Sequence, residues 1–186
     1  MKGRELLIGV TGGIAAYKTA ALVSQLVQAG AGVTVIMTRS ATRLVAPKTF
    51  EALTGRPVGM GVFGGGAHPH IEAAQRAELL CVAPATANIL AKAACGLADD
   101  LLSTVLLAFN GPVLMAPAMN SVMWEKPAVQ RNLAQLRADG VLLIEPGEGR
   151  LSCGMYGPGR MAEPETIFRT IAERLSGPLS SGRGLG

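Results

Sequence analysis

The residues with reactive chemistry are few. Two histidines, His68 and His70, stand in the glycine-rich stretch Gly65-Gly66-Ala67-His68-Pro69-His70-Ile71. Their close spacing invites a metal, but there is no third histidine and no nearby cysteine, and a zinc site needs three or four protein ligands. No metal is therefore expected, and His70 suits a general base at the start of a helix. The three cysteines, Cys81, Cys95 and Cys153, form no CxxC pair and leave an odd count, which reads as reduced thiols in a cytoplasmic protein. Asp99-Asp100 has the form of an acid–base pair. Two carboxylates at a helix start serve more simply as a cap and a dipole partner.

A second group of residues suits an anion. Thr11-Gly12-Gly13-Ile14-Ala15-Ala16 follows an apolar run and opens a helical stretch. Glycines there let backbone N–H groups approach a phosphate, or simply make the strand–helix turn. The GxGxxG spacing of dinucleotide sites is missing. The second apolar run ends Met37-Thr38-Arg39-Ser40, with no acid to grip a ribose diol. Two hydroxyls and an arginine point to a mononucleotide phosphate, and Arg39 leaves NADP open. In Pro84-Ala85-Thr86-Ala87-Asn88, Thr86 suits a helix cap, while Asn88 offers an amide to a heterocycle edge. Met119, Met123 and Trp124 follow a strand end, where they either wall a pocket or belong to the core.

The elements that must position these residues alternate. Leu6–Val10, Val33–Met37, Leu79–Ala83, Pro112–Ala116 and Val141–Ile144 are short, continuously apolar runs, as in strands of a parallel sheet buried on both faces. Helices are predicted over Ile14–Gln28, Ile71–Arg76, Ala87–Ala94, Asp100–Phe109, Pro127–Ala138 and Glu165–Leu175. The alternation predicts an α/β doubly wound sheet in one domain, with ligands beyond the carboxyl ends of the strands. Pro146 to Pro164 breaks the rhythm. It carries five glycines, Arg150, Cys153 and Arg160 without a clear period, and reads as a long loop, either a mobile lid or a plain connection.

Composition narrows the function. Of 186 residues 49% are hydrophobic and 16% charged, which excludes a disordered chain and suggests surface buried against other subunits. A net charge of +4 without a basic block, and only 4% aromatics, argue against nucleic acid. No apolar stretch approaches the roughly 20 residues of a membrane span, and glycines at 9, 12 and 13 with Lys18 spoil a resemblance to a signal peptide.

Six motifs in order carry a family resemblance: Gly12-Gly13-Ile14-Ala15-Ala16-Tyr17-Lys18, His70-Ile71, Pro84 to Asn88, Ala98-Asp99-Asp100-Leu101-Leu102-Ser103-Thr104, Pro117-Ala118-Met119-Asn120 with Met123-Trp124, and Ser152-Cys153-Gly154 through Gly159-Arg160-Met161. The chain resembles the homo-oligomeric flavin-containing cysteine decarboxylases over about residues 5–175. This group comprises the phosphopantothenoylcysteine decarboxylases of coenzyme A synthesis and the peptidyl-cysteine decarboxylases. The resemblance implies a flavodoxin-like fold, an FMN-binding domain over 1–175, a flexible tail over 176–186, and trimers, either alone or assembled further into a dodecamer, with active sites between subunits. It places FMN against Gly12, Gly13, Ile14, Thr38, Ser40, Thr86, Ala87, Asn88, Ile89, Ser103 and Ala118. It makes His70, Asn120 and Cys153 catalytic, and puts the substrate against Met119, Asn120 and Met123.

The implied chemistry is coherent. A cysteine carboxylate has no electron sink, so loss of CO2 would leave an unstabilised carbanion. Oxidising the carbon that bears sulfur to a thioaldehyde makes the decarboxylated product a stabilised ene-thiolate, and FMN accepts the hydride. The coenzyme A enzymes then return the hydride, with a lid cysteine giving the proton, whereas the peptide enzymes release the ene-thiol. Cys153 therefore favours 4'-phosphopantothenoylcysteine as substrate over a peptide ending in cysteine. Ala73, Arg76 and Glu78 depart from the family's usual Leu, Trp and Asp near His70, and allow for another substrate. Many bacterial coenzyme A enzymes continue into a synthetase domain, which is not visible before Gly186. A flavin-bearing regulatory subunit and a flavin prenyltransferase are the other readings. Intact His70, Asn120 and Cys153 argue against the first, and the histidine and cysteine motifs against the second.

Overall fold

The computed structural model describes residues 1–61, 75–150 and 156–176. His68, His70, Cys153, most of the expected helix Ile71–Arg76 and the tail beyond Ser176 lie outside the described residues.

Five strands form one parallel sheet: β1 (Glu5–Val10), β2 (Gly32–Met37), β3 (Leu79–Ala85), β4 (Val113–Pro117) and β5 (Leu142–Leu143), in the order β2-β1-β3-β4-β5. This is the flavodoxin-like order, as expected. The apolar runs form strands because both faces are covered. Leu6, Ile8 and Val10 of β1 join one core cluster, while Leu7 between them joins the other. That alternation follows the two-residue period of a strand.

The first cluster is closed by α1 (Ala16–Gln28), α2 (Pro47–Thr54) and, near the end of the chain, α7 (Pro164–Ser176), through Leu22, Leu26, Phe50, Ile167 and Ile171. The second is closed by α3 (Ala87–Cys95), α4 (Leu101–Ala108) and α6 (Pro127–Ala138), through Ile89, Leu90, Leu102, Val105, Leu133 and Leu136. A short helix, α5 (Ser121–Trp124), follows β4. Gly9 matters to the second face. A Cβ on it would lie 2.6 Å from a methyl of Leu102, so α4 packs directly onto the β1 backbone.

Two expectations need correction. The segment Pro146 to Pro164 is not one irregular loop. It forms an antiparallel pair, β6 (Gly147–Arg150) and β7 (Tyr156–Arg160). The fifth strand pairs only over Leu142–Leu143, because it lies at the sheet edge and β4 alone holds it. Asp100 behaves as the simpler reading predicts. Its carboxylate accepts from the Ser103 N–H at 2.8 Å, and the Ser103 hydroxyl accepts from the Asp100 N–H at 3.0 Å, a capping box. Lys92 pairs with both Asp99 and Asp100. Burial pushes the Asp100 carboxyl up, but its bonds to Lys92 and Ser103 outweigh this and hold it below the usual range. No described helix is long and apolar enough to cross a membrane.

Candidate active site

The site is built from loops at the carboxyl ends of β1, β3 and β4. The loop after β1 runs from Thr11 to Ala15. Thr11 is buried, and its hydroxyl donates to the Pro84 carbonyl at 2.7 Å and accepts from the Thr86 N–H at 3.2 Å. One side chain thus ties the first loop to the third strand's end. Thr19, one turn into α1, donates to the Ala83 carbonyl at 2.7 Å and reinforces the tie. Neither threonine is among the expected site residues. A threonine beside a glycine pair carries no signal of a long-range bond.

Within the loop, the Gly13 N–H is satisfied by the Thr11 carbonyl at 2.8 Å. The N–H groups of Gly12, Ile14 and Ala15 meet no acceptor among the described residues. They lie at the head of α1, where the helix dipole favours negative charge. Gly12 is required by packing, since a Cβ there would overlap that of Ser40 in the turn after β2. Ser40 is therefore brought against the glycine loop, while Thr38 is tied to the end of β1 by its N–H to the Val10 carbonyl at 3.0 Å, and neither lines the cleft described below. Thr38 also accepts through its hydroxyl from the Ala41 N–H at 3.3 Å.

Thr86 occupies the N-cap position of α3, but its hydroxyl makes no capping bond and instead stands 3.2 Å from that of Thr11. The expected capping role of its side chain is corrected on that ground. The first turn of α3 is consequently left with open N–H donors, as at any uncapped helix start. Ala87, Asn88 and Ile89 supply that turn. The Ile89 side chain is buried in the second core cluster, so only its backbone is offered to a ligand. Asn88 is exposed.

After β4, the Ala118 N–H donates to the Ala85 carbonyl at 3.0 Å. Asn120 caps α5 by accepting from the Met123 N–H through Oδ1 at 2.8 Å. This bond fixes the amide, and its Nδ2 finds no acceptor among the described residues. The Met119 N–H donates to the Gly159 carbonyl at 3.0 Å, which pins β7 to the same loop. Gly159 has φ 113°, and a Cβ there would overlap the Met119 carbonyl oxygen, so glycine is demanded twice.

These loops enclose a cleft of about 610 Å³. Gly12, Gly13 and Ile14 line one side, with Thr86 and Ala87 beside them. Ala118, Met119, Asn120 and Met123 line the other. Trp124 is half-buried against the second core cluster and is not part of the cleft lining, whereas Met119, which packs on the same cluster, and Met123 wall the cleft. Ser103 is not brought to the cleft by its own chain. It is buried in the capping box and borders a separate hollow of about 330 Å³ beside Pro112 and Val113. Ala15, Tyr17, Lys18, Gly159, Arg160 and Met161 complete the cleft lining beyond the predicted contacts. Glu163 links two of them, accepting from Lys18 Nζ at 2.8 Å and pairing with Arg160 Nη2 at 2.9 Å. Lys18, and to a lesser degree Arg160, hold its carboxyl below the ordinary range.

A cleft of this size, with apolar walls and a few aimed donors, is typical of a small-molecule site. Its open donors suit anions. Among the described residues no cluster of histidine, cysteine and acidic groups could hold a metal.

Comparison with known proteins agrees with this arrangement. Residues 1–176 match the model of the family described as Flavoprotein. The coenzyme A biosynthesis bifunctional protein CoaBC of Bacillus subtilis is 50% identical over 96% of this chain and 46% of its own length. The CoaBC protein of Mycolicibacterium smegmatis is 48% identical over 92% of this chain and 42% of its own. The chain thus spans about half the length of these curated relatives. Among solved structures, a mutant PPC decarboxylase complexed with pantothenoylaminoethenethiol superposes with TM-score 0.84 at 31% identity, covering 95% of this chain and 100% of that one. The FMN-dependent cysteine decarboxylase SpaF superposes with TM-score 0.81 at 36% identity, covering 94% and 98%.

Proposed function

The chain belongs to the flavoprotein family, and from that premise we propose that it binds FMN in the cleft and decarboxylates a terminal cysteine, with 4'-phosphopantothenoylcysteine as substrate. The observation that carries this reading is one cleft holding two separate sets of unpartnered donors. The N–H groups of Gly12, Ile14 and Ala15 suit the FMN phosphate, with Ser40 beside Gly12. The Nδ2 of Asn120 suits the substrate carboxylate. The cleft volume of about 610 Å³ falls within the range of cofactor sites. FMN, when bound, supplies a hydride acceptor and so the electron sink that a cysteine carboxylate lacks.

The chain's own residues bind, orient and move protons. Asn120 donates to the carboxylate and holds it in place until CO2 leaves. Met119 and Met123 cover that position with apolar surface, which strengthens the hydrogen bond by excluding water. His70 takes the thiol proton, and Cys153 returns a proton to the decarboxylated product. Both roles rest on the family resemblance. The comparison with PPC decarboxylase and with CoaBC supports the coenzyme A substrate. A peptide ending in cysteine is the second reading, supported by the likeness to SpaF.

In this proposal residues 1–175 are the FMN domain of a cytoplasmic homo-oligomer, a trimer either alone or built further into a dodecamer. Ile14 and Tyr17, 60% and 62% exposed at the cleft rim, offer apolar surface for a neighbouring subunit. The deciding experiment is mass spectrometry after incubation with 4'-phosphopantothenoylcysteine and, separately, a peptide ending in cysteine. Loss of CO2 alone from the first is expected. Reaction of the peptide only, with loss of CO2 and two hydrogens, would refute the coenzyme A assignment. His70→Asn is expected to abolish CO2 release while FMN stays bound, and unchanged turnover would remove His70 from the mechanism.

A further inference from the structure

Two cations meet at one edge of the cleft. Lys18 comes from α1 and Arg160 from β7, and both line it. Glu163 accepts from Lys18 through both carboxylate oxygens, at 2.8 and 2.9 Å, and forms an ion pair with Arg160, whose Nη2 stands 2.9 Å from Oε1. One carboxylate between two cations leaves a net charge of +1. The Lys18 side chain is 11% exposed and that of Arg160 45%, so the guanidinium retains open donors towards solvent and cleft. Arg160 directly follows Gly159, whose carbonyl is held by the Met119 N–H. The guanidinium and the Asn120 amide are therefore carried on two backbone segments in contact.

The reaction proposed above brings three anionic groups into this cleft. The FMN phosphate has the amides at the head of α1, and the substrate carboxylate has Asn120. The third is the terminal phosphate of the substrate's pantothenoyl arm. Among the described residues that line the cleft, Arg160 and Lys18 are the cations left to meet it, and a guanidinium matches phosphate geometry with paired donors. We propose that Arg160 and Lys18 form a subsite for this phosphate, with Glu163 as the internal counter-ion that keeps the two cations in place before substrate arrives. The subsite makes the cleft select a phosphorylated arm over an unphosphorylated one or a peptide. This inference rests on the decarboxylase reading.

The test compares kcat and KM for 4'-phosphopantothenoylcysteine and for pantothenoylcysteine, with bound FMN followed by its absorbance. The wild-type protein should favour the phosphorylated compound by roughly tenfold or more, expressed in KM. Arg160→Ala should bring the ratio of the two kcat/KM values close to one with FMN content unchanged, and Arg160→Lys should restore part of it. Glu163→Gln keeps an acceptor oxygen but removes the competing charge, so it should raise the ratio. A mere latch between β7 and α1 predicts instead that Arg160→Ala and Glu163→Gln lose activity on both compounds in parallel, and that result overturns the subsite. So does an unchanged ratio in Arg160→Ala, or loss of FMN from it, which would assign the arginine to the cofactor phosphate. If the wild-type protein turns over neither compound, the coenzyme A reading falls and the subsite with it.

Discussion

Asn120→Asp separates two jobs of one side chain. In the structure Oδ1 accepts from the Met123 N–H at 2.8 Å and caps α5, while Nδ2 is left for a ligand. Aspartate keeps an oxygen where the cap needs it and replaces the donor with a second acceptor. Hydrogen bonds to charged groups contribute about 1.5–3 kcal/mol, so losing the one to the substrate carboxylate costs roughly 10- to 150-fold in kcat/KM. Repulsion between two carboxylates in an apolar cleft adds to that loss. Stability should stay within a few tenths of a kcal/mol, because aspartate and asparagine cap equally well. Asn120→Ala loses the donor and the cap together. It should show the catalytic loss and about 1 kcal/mol of destabilisation, a fall of about 2–4 °C in Tm for a chain of this size. The assay is the initial rate of CO2 release beside thermal unfolding of the FMN-loaded protein. Wild-type turnover by Asn120→Asp would refute the assignment of Nδ2 to the carboxylate. Equal Tm values for the two variants would refute the division of roles between the amide atoms.

Other outcomes follow from single contacts. Thr11→Val leaves the Pro84 carbonyl and the Thr86 N–H without their buried partner, and should cost about 1–3 kcal/mol in denaturant unfolding while weakening FMN affinity. Gly159→Ala must abandon φ 113° or strain it and displace the Met119 carbonyl, so KM should rise and β7 should become protease-sensitive. Burial pushes the Cys81 thiol up to about 12, whereas Cys95 is exposed, so iodoacetamide mapped by mass spectrometry should label Cys95 in the native protein and Cys81 only after unfolding. Acid should destabilise the fold through Glu5 and Asp100. The hydrogen bond from Arg56 holds Glu5 below its ordinary 4.5, and Asp100 lies below its ordinary 3.8. Groups lowered on folding contribute stability that is complete above those ordinary values and is lost as pH falls through the folded ones. Urea midpoints should therefore drop between about pH 5 and pH 3, less steeply in Glu5→Gln and Asp100→Asn.

The parts of this molecule legible in its sequence are those with a hydrophobic period. Strands β1 to β4 stand within a residue or two of the expected apolar runs because both faces are buried, and α1, α3 and α6 follow their amphipathic spacing. Helix α2 was not foreseen. Phe50 is its one buried side chain, and one residue makes no period. The β6–β7 pair was read as a loop because Gly147, Gly149, Gly157, Pro158 and Gly159 give no alternation, and its order comes from backbone bonding and from β7 resting on the Met119 loop. In the site, the glycines and the methionines are legible by type and place, whereas Asn120 comes from the family resemblance. Ser103 was assigned to the cofactor by resemblance, while its local chemistry is that of a cap. Thr11 was invisible because its partners lie more than seventy residues away.

The position of the cleft follows from the strand order. β1 is flanked by β2 on one side and β3 on the other, so the helix leaving β1 and the helix leaving β3 go to opposite faces of the sheet. Their starts diverge and leave a gap at the sheet's carboxyl edge, which is where open-sheet ligands sit. A gap alone would be mobile. Here each of its walls is tied to the next by one short bond: Thr11 to Pro84, Ala118 to Ala85, and Met119 to Gly159. The ties run in series from the glycine loop through β3 and β4 to β7. A change at Thr11 should thus reach Asn120 and Arg160 through two intermediate segments. The measurable consequence is that Thr11→Val, though it touches neither the substrate carboxylate nor its phosphate, raises KM as well as weakening FMN binding. An effect on FMN affinity alone would mean that the loops move independently and that the series of ties does not transmit position.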